Sequence, residues 1–502
     1  MIAGSISQPK RQHMVYEGMP AFIFWMAILS LIPAAALFGG MAFLMMVLAA
    51  GLAVIVWVRP QEAPGAGILF LFASSVLLPN SVRLDLDAPA TGEMYYWAAG
   101  VLVITIAAVA RIGARQVFKI PASAKALLAV ALLAAGVGLM QGAPTTYVAR
   151  QFYGVLLMVI YFGIALHVGS QSLFIRRIGT FGTLCALMFV VYFLAVFGEY
   201  GFHREMTTVG TQASLLATVL FFTGLQRKKS FYVLAAIILL CVPALIFQRG
   251  AVLTFLAALP LGAAIKLRTM KLRFLACLAF LFIALPAVVP GMADKVGEAL
   301  ETTPVIGSIL PPGSLVSDTL LDRGLQLVAA VGTVQAHPWL GAGLGTYIEW
   351  DSPTLGLRQV PYIENGWAYL LQKMGLLGAA AFLCFLFTVL RNISRESLGL
   401  SACLLAIVGV AMFSNATFFH FTTAPFAGTF AGLLLAKKDH HCTRQAAISS
   451  ALGPKKIEEA SKGIELMRDW EKRGMHKTEL KYWPGGSQRG HRRSYVVFGN
   501  PR

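Results

Sequence analysis

Long apolar runs separated by short polar connections make up most of the chain. A membrane span needs about 20 apolar residues, fewer where the bilayer thins. On that measure candidate spans lie at 21–38, 41–58, 66–80, 94–110, 120–140, 147–168, 174–197, 209–225, 231–247, 250–266, 274–290, 366–390, 398–414 and 422–436. The pattern predicts an all-α, polytopic transmembrane helical bundle of about 12–14 spans. One interval, 291–365, is long and polar and leads straight into an apolar run. It is expected to hold short helices. The organisation read from this pattern is a polar N-terminus at 1–20, helices 1–11 over 21–290, a large loop at 291–365, helices 12–14 over 366–436, and a tail at 437–502.

Composition excludes a soluble globular protein. Apolar residues are 57% of 502 and charged residues 13%, with a mean hydropathy of +0.71. Soluble domains sit near about 45–50% and about 25%. The six cysteines form no CxxC and none lies in the large loop, so disulfides and a cysteine metal site are not expected. No cleavable signal peptide is expected, because the first 20 residues are polar and the apolar run after them continues into a second.

Charge then orients the bundle. With the N-terminus inside, alternate connections carry Arg59; Arg111, Arg115 and Lys119; Arg176 and Arg177; Arg227, Lys228 and Lys229; Lys266, Arg268, Lys271 and Arg273; Arg391 and Arg395; and Lys437 and Lys438. This is the positive-inside pattern. It predicts both termini in the cytoplasm and the large loop outside. The net charge of +18 is therefore a topology signal and does not call for nucleic acid. The tail carries 15 Lys/Arg and 7 Asp/Glu. Within it Ile457, Ala460, Ile464, Met467 and Trp470 recur at helical spacing behind Pro454. Two readings stand level there: a helix on an anionic inner leaflet, or a solvated tail.

Few charges remain on the outer side, and arginines there run against the charge bias. Arg249 in FQRGAVLTF lies between two apolar runs with almost no loop. Such a charge costs a few kcal/mol on insertion scales unless it finds a partner or a polar cavity, roughly 3 kcal/mol. An anion site at the outer surface explains it; a headgroup-facing snorkel is the rival reading. Arg204 in GFHREMTTVGTQASLLATV invites the same pair of readings. Arg323 is either a substrate contact or a helix partner of Asp318 or Asp322. Arg150 reads as a helix-end anchor. Glu364-Asn365 opens the twelfth span. Asn365 suits a helix cap, and Glu364 is either a carboxylate at the positive end of the helix dipole or a general base. His337-Pro338 begins a turn with Gly341, Gly343 and Gly345, which permit positive φ or close backbone approach. With no preceding βα unit it is not a dinucleotide fingerprint. His203 and His337 are too far apart in sequence to suggest a metal site, and Asp85 with Asp87 forms only a weak DxD pattern.

These residues, in this order, resemble the O-antigen ligase and Wzy-type polysaccharide polymerase superfamily of bacterial inner membranes. Three places carry the resemblance. DRGLQLVAAVGTVQAHPWLGAGLGTY matches the start of the family's outer loop. ENGWAYLLQKMGLLG matches its end, where Asn365 is followed by nine residues and then Gly375 and Gly378. QRGA matches an outer arginine, Arg249, with Arg204 a looser match to a second. The departure is Glu364, where the family pattern has histidine. Ligases rely on that histidine, so the departure favours a polymerase.

The resemblance implies a glycosyltransferase that needs no metal or other cofactor. Its donor would be an undecaprenyl-diphosphate-linked oligosaccharide on the periplasmic face. Arg249 and Arg204 would hold the leaving diphosphate, since guanidinium forks match phosphate oxygens. Glu364 would take the acceptor proton. Arg323, Asn365, His337 and Arg358 would contact substrate. Membrane lipids and other polysaccharide-assembly proteins are the implied partners. Two other readings remain: a ligase that passes the glycan to lipid A core, and a transporter or flippase of lipid-linked glycan. A transporter is expected to carry ionisable groups near mid-span, and the predicted spans are almost free of them.

Overall fold

The computed structural model describes residues 45–77, 93–200, 207–246, 248–267, 315–352, 356–361, 365–412 and 417–436. Its helices follow the apolar runs, except α10 in the polar interval: α1 (Met45–Val58), α2 (Ala63–Leu77), α3 (Glu93–Ile112), α4 (Ala122–Met140), α5 (Thr145–Val168), α6 (171–200), α7 (Thr207–Arg227), α8 (Ser230–Leu245), α9 (Arg249–Leu267), α10 (Leu315–Ala336), α11 (Gly366–Leu390), α12 (398–412) and α13 (Ala424–Ala436). The protein is an all-α, multi-pass helical membrane protein. Among the described residues α4, α5, α6, α7 and α11 are long and apolar enough to cross a bilayer, and α1, α3, α8, α9 and α13 contain shorter apolar helices. The expected spans 21–38 and 274–290, the N-terminus 1–20, the loop's first part and the tail 437–502 lie outside the described residues.

Small residues decide where the spans meet. On α4, Ala124, Leu127, Ala131, Ala134, Ala135 and Gly138 form one buried stripe. Leu132, Leu133 and Met140 stay exposed on the opposite side, as a lipid-facing surface would. Lipid is as apolar as leucine, so helices associate in a bilayer through close backbone approach at small residues. That stripe receives α5 and α11. The centre of the bundle is α7, which packs on α8, α9 and α12. It is the least apolar of the five long helices, yet most of it is buried. A helix screened from lipid can carry polar groups if protein satisfies them. Thr218 and Thr223 donate to carbonyls one turn back, at 2.8 and 2.7 Å. Ser214 donates across to Ala251 O of α9 at 2.6 Å.

The basic connections gather at one end, as their alternation requires. Arg111 donates to Trp57 O at 3.0 Å. Arg177 forks Glu62, with Nη2–Oε1 at 2.6 Å and Nε–Oε2 at 3.0 Å. His167 Nε2 lies 3.0 Å from Lys119 O. Gln226 donates to Arg395 O at 2.9 Å, and Arg395 Nε to Ile265 O at 3.3 Å. Tyr232 packs against Gly179 and joins the two groups.

The polar interval holds more than helix. Its described part is α10, 22 residues long, followed by an antiparallel hairpin of β1 (Ile348–Ser352) and β2 (Gly356–Val360). Ile348 and Trp350 are buried while Glu349 and Asp351 are exposed, the alternation of a half-buried strand. Glu349 faces Gln359 in the register and accepts its amide at 2.6 Å. Where short helices were expected, the described residues hold one 22-residue helix and this hairpin, which follows α10 and precedes α11 in the chain.

Candidate functional site

The end of the bundle away from the basic connections is built around a broken helix. Within α11, Gly375 has φ 60° and ψ −160°, a conformation open almost solely to glycine. The break strips the next amides of their helical acceptors, and the chain from Pro338 to Ala342 replaces them. Leu376 N donates to Pro338 O at 2.9 Å, Leu377 N to Trp339 O at 3.1 Å, and Ala342 N to Gln372 O at 2.8 Å. Gly341 has φ 64°, and a Cβ on it or on Gly375 would collide with the other's backbone. The HPWLGAG turn is thus spliced into the span. Gly341, Gly343 and Gly345 all carry positive φ, as their sequence suggested.

Side chains lock the same segment to two further spans. Gln151 of α5 accepts from Gly345 N at 2.7 Å and donates to Pro361 O at 2.6 Å, pinning the two ends of the hairpin. Leu344 N donates to Ala134 O of α4 at 2.9 Å. Lys373 of α11 is fully buried and donates to the carbonyl of Thr346, with its hydroxyl 3.4 Å away. Among the described residues no carboxylate lies within ion-pairing distance of it.

Four helix starts converge at this end. Asn365 caps α11: its Oδ1 accepts from Trp367 N at 3.0 Å and Ala368 N at 3.1 Å, as expected for that residue. Gln248, just before α9, donates to Thr211 of α7 at 2.9 Å. Gln212 of α7 donates to Thr422 O, in the turn before α13, at 3.0 Å. In that turn Phe419 stacks on Tyr369 of α11, with centroids 5.5 Å apart. Gln212 Oε1, Gln248 Oε1, Gln372 Oε1 and Trp367 Nε1 are buried there with no hydrogen-bond partner among the described residues.

The candidate residues distribute unevenly over this frame. Arg249 is the first residue of α9, so its backbone stands one position from Gln248 and the α7 contact. Arg323 lies in α10, and Arg358 in β2 opposite Trp350. The side chains of these three arginines, and all of Arg204 and Glu364, lie outside the described residues. Asn365 is in the cluster. His337 is not: its ring is exposed at the end of α10, where its backbone continues the helix hydrogen bonding. Sequence reasoning missed Gln151, Gln212 and His420. Each is a lone polar residue in an apolar run, and that was the available signal.

A multi-pass helical membrane protein with one polar segment welded to the mouth of a span is the class this geometry defines. Residues 206–383 match the model of the O-antigen ligase family, Wzy_C. That segment is similar to an O-antigen ligase family domain, which supports the motif resemblance to the O-antigen ligase and Wzy-type superfamily. The match spans α7 to α11 and includes Arg249, Arg323, His337, Arg358, Glu364 and Asn365. No curated protein gives a match to the chain.

Proposed function

We propose that this protein is a Wzy-like polymerase of the bacterial inner membrane. It extends an undecaprenyl-diphosphate-linked oligosaccharide on the periplasmic face, with the basic end of the bundle in the cytoplasm. The observation that carries the reading is the convergence, within and around the matched domain, of the starts of α7, α9 and α11. Helix starts present positive dipole ends and favour anions. Arg249 at the start of α9 and Arg204 just ahead of α7 add guanidinium forks suited to a leaving diphosphate. Glu364, adjoining the Asn365 cap, takes the proton of the attacking hydroxyl. The unpartnered amide oxygens of Gln212 and Gln248 suit a ligand rich in hydroxyl donors.

The reaction balances without an added reactant. The acceptor oxygen bonds to the anomeric carbon, the bond from that carbon to the lipid diphosphate breaks, and the hydroxyl proton passes to the Glu364 carboxylate. Polymerase is preferred to ligase because Glu364 replaces the family's histidine. The deciding experiment is reconstitution with a lipid-diphosphate oligosaccharide. A product ladder supports polymerisation. A single transfer to another lipid identifies a ligase, and movement without bond formation a flippase.

A further inference from the structure

The turn 417–423 joins α12 to α13 and is buried along its whole length. Loops between spans ordinarily lie at the surface, because a buried loop must find partners for its backbone groups. Here the partners are supplied by α7 and by the turn itself. Gln212 of α7 donates to Thr422 O. Thr423 Oγ1 donates to Thr417 O at 2.9 Å, and the amides of Thr423 and Ala424 donate to His420 O at 3.0 and 2.8 Å. Gly154 lets α5 press so close that any Cβ would strike Phe419 O.

His420 sits in the middle of this turn, 8% exposed. Its Nδ1 lies 2.7 Å from Thr422 Oγ1. Its ring tilts against Phe421 at 4.9 Å, and the guanidinium of Arg150 covers that phenylalanine at 5.5 Å. Phe419, the residue before it, stacks on Tyr369, one helical turn past the Asn365 cap. Arg150 of α5 is the charged group facing the imidazole among the described residues. Phenylalanine would fill this aromatic site as well. Only a group with a polar atom at the Nδ1 position can also tie to Thr422.

We propose that His420 is a positioning residue of the transfer site: through Thr422 it fixes the turn that sets the start of α11 against the starts of α7 and α9. This inference rests on the transfer reading above. It deepens that reading by adding a residue beyond the matched segment 206–383. The consequence is geometric. If the turn relaxes, Asn365 and the start of α11 shift relative to the starts of α7 and α9. Turnover then falls while donor binding is retained, because an ångström of misplacement costs on the order of 100-fold in rate.

The test uses the full-length protein in vesicles with an undecaprenyl-diphosphate-linked oligosaccharide as donor. Thr422→Val removes the hydroxyl without changing volume, and His420→Phe removes the imidazole. Both are expected to lower kcat about tenfold or more with donor KM within about twofold, the signature of lost transition-state geometry. Thr422→Ser and His420→Asn, which restore a polar atom, are expected to rescue most of the rate. An unchanged kcat in Thr422→Val and His420→Phe, beside an active wild type, overturns the proposal alone. So does a loss that merely tracks the fraction of folded protein. A wild type that moves or binds the donor without forming a glycosidic bond overturns the transfer reading, and this inference with it.

Discussion

Glu364 and Arg249 have opposite charges and, in the transfer reading, opposite duties. Glu364→Gln keeps the size and loses the base, so transfer is expected to fall on the order of 100-fold or more with protein level unchanged. Arg249→Ala removes a fork from the leaving diphosphate and is expected to fail on the same scale in the same assay. If Arg249→Ala is active and only Arg249→Glu is unstable, a topological duty accounts for the arginine. His420 makes a separate prediction about stability. Burial, reinforced by the Arg150 charge, pushes its pKa down from 6.5 to about 3. The folded protein keeps the ring neutral while the unfolded chain takes a proton below about 6.5. Stability present above that value is thus lost as pH falls toward about 3. The loss amounts to about 2 kcal/mol between pH 7 and pH 5. His420→Phe is expected to flatten that slope, read as the change in thermal midpoint between the two pH values. At this scale sequence gave uneven returns. The Asn365 cap was legible because capping is local chemistry. His420 was not, because a single imidazole in TFFHFTTAP reads as an incident in an apolar run.

Among elements, α11 and the HPWLGAG turn form one structural unit. Gly375→Ala would drive a Cβ into Trp339 and Gly341 and force a left-handed conformation on alanine. A destabilisation of about 3 kcal/mol is expected, seen as a lowered thermal midpoint in detergent. Gln151→Ala would strand the amide of Gly345 and the carbonyl of Pro361, and about 1–3 kcal/mol per group is the expected scale. The spans themselves were legible, since twenty apolar residues admit few alternatives. The hairpin was harder. Its strands are five residues each, and the alternation of Ile348, Glu349, Trp350 and Asp351 covers too few positions to stand apart from a loop. The kink at Gly375 was hidden for a different reason. A glycine inside a long apolar run looks tolerable, and only the distant backbone of Pro338 and Trp339 reveals that it is required.

For the whole molecule the two ends have different chemistry. One gathers arginines bonded to carbonyls and to Glu62; the other gathers amides, a capped helix and the spliced turn. A cysteine placed at Lys228 is expected to label only from the cytoplasmic side, and one at the exposed His337 only from the periplasmic side. Labelling of both from one side would overturn the proposed topology, and exchange of the two sides would invert it. In cells, loss of a polymerase is expected to leave single repeat units, whereas loss of a ligase leaves long chains on the carrier lipid. The gathering of the basic connections at one end was legible, because their charges alternate along the chain. The meeting of α7, α9 and α11 was not legible, because it depends on contacts between residues far apart in the chain, such as Gln212 with Thr422.

The amides of Leu376 and Leu377 look back to Pro338 and Trp339 for their acceptors. This has a bearing on how such proteins can be recombined. A graft that exchanges the outer segment but keeps the recipient's span would pair foreign carbonyls with a break shaped for others. The smallest transplantable piece therefore runs from His337 through Gly378, and specificity swaps between relatives should move that stretch whole.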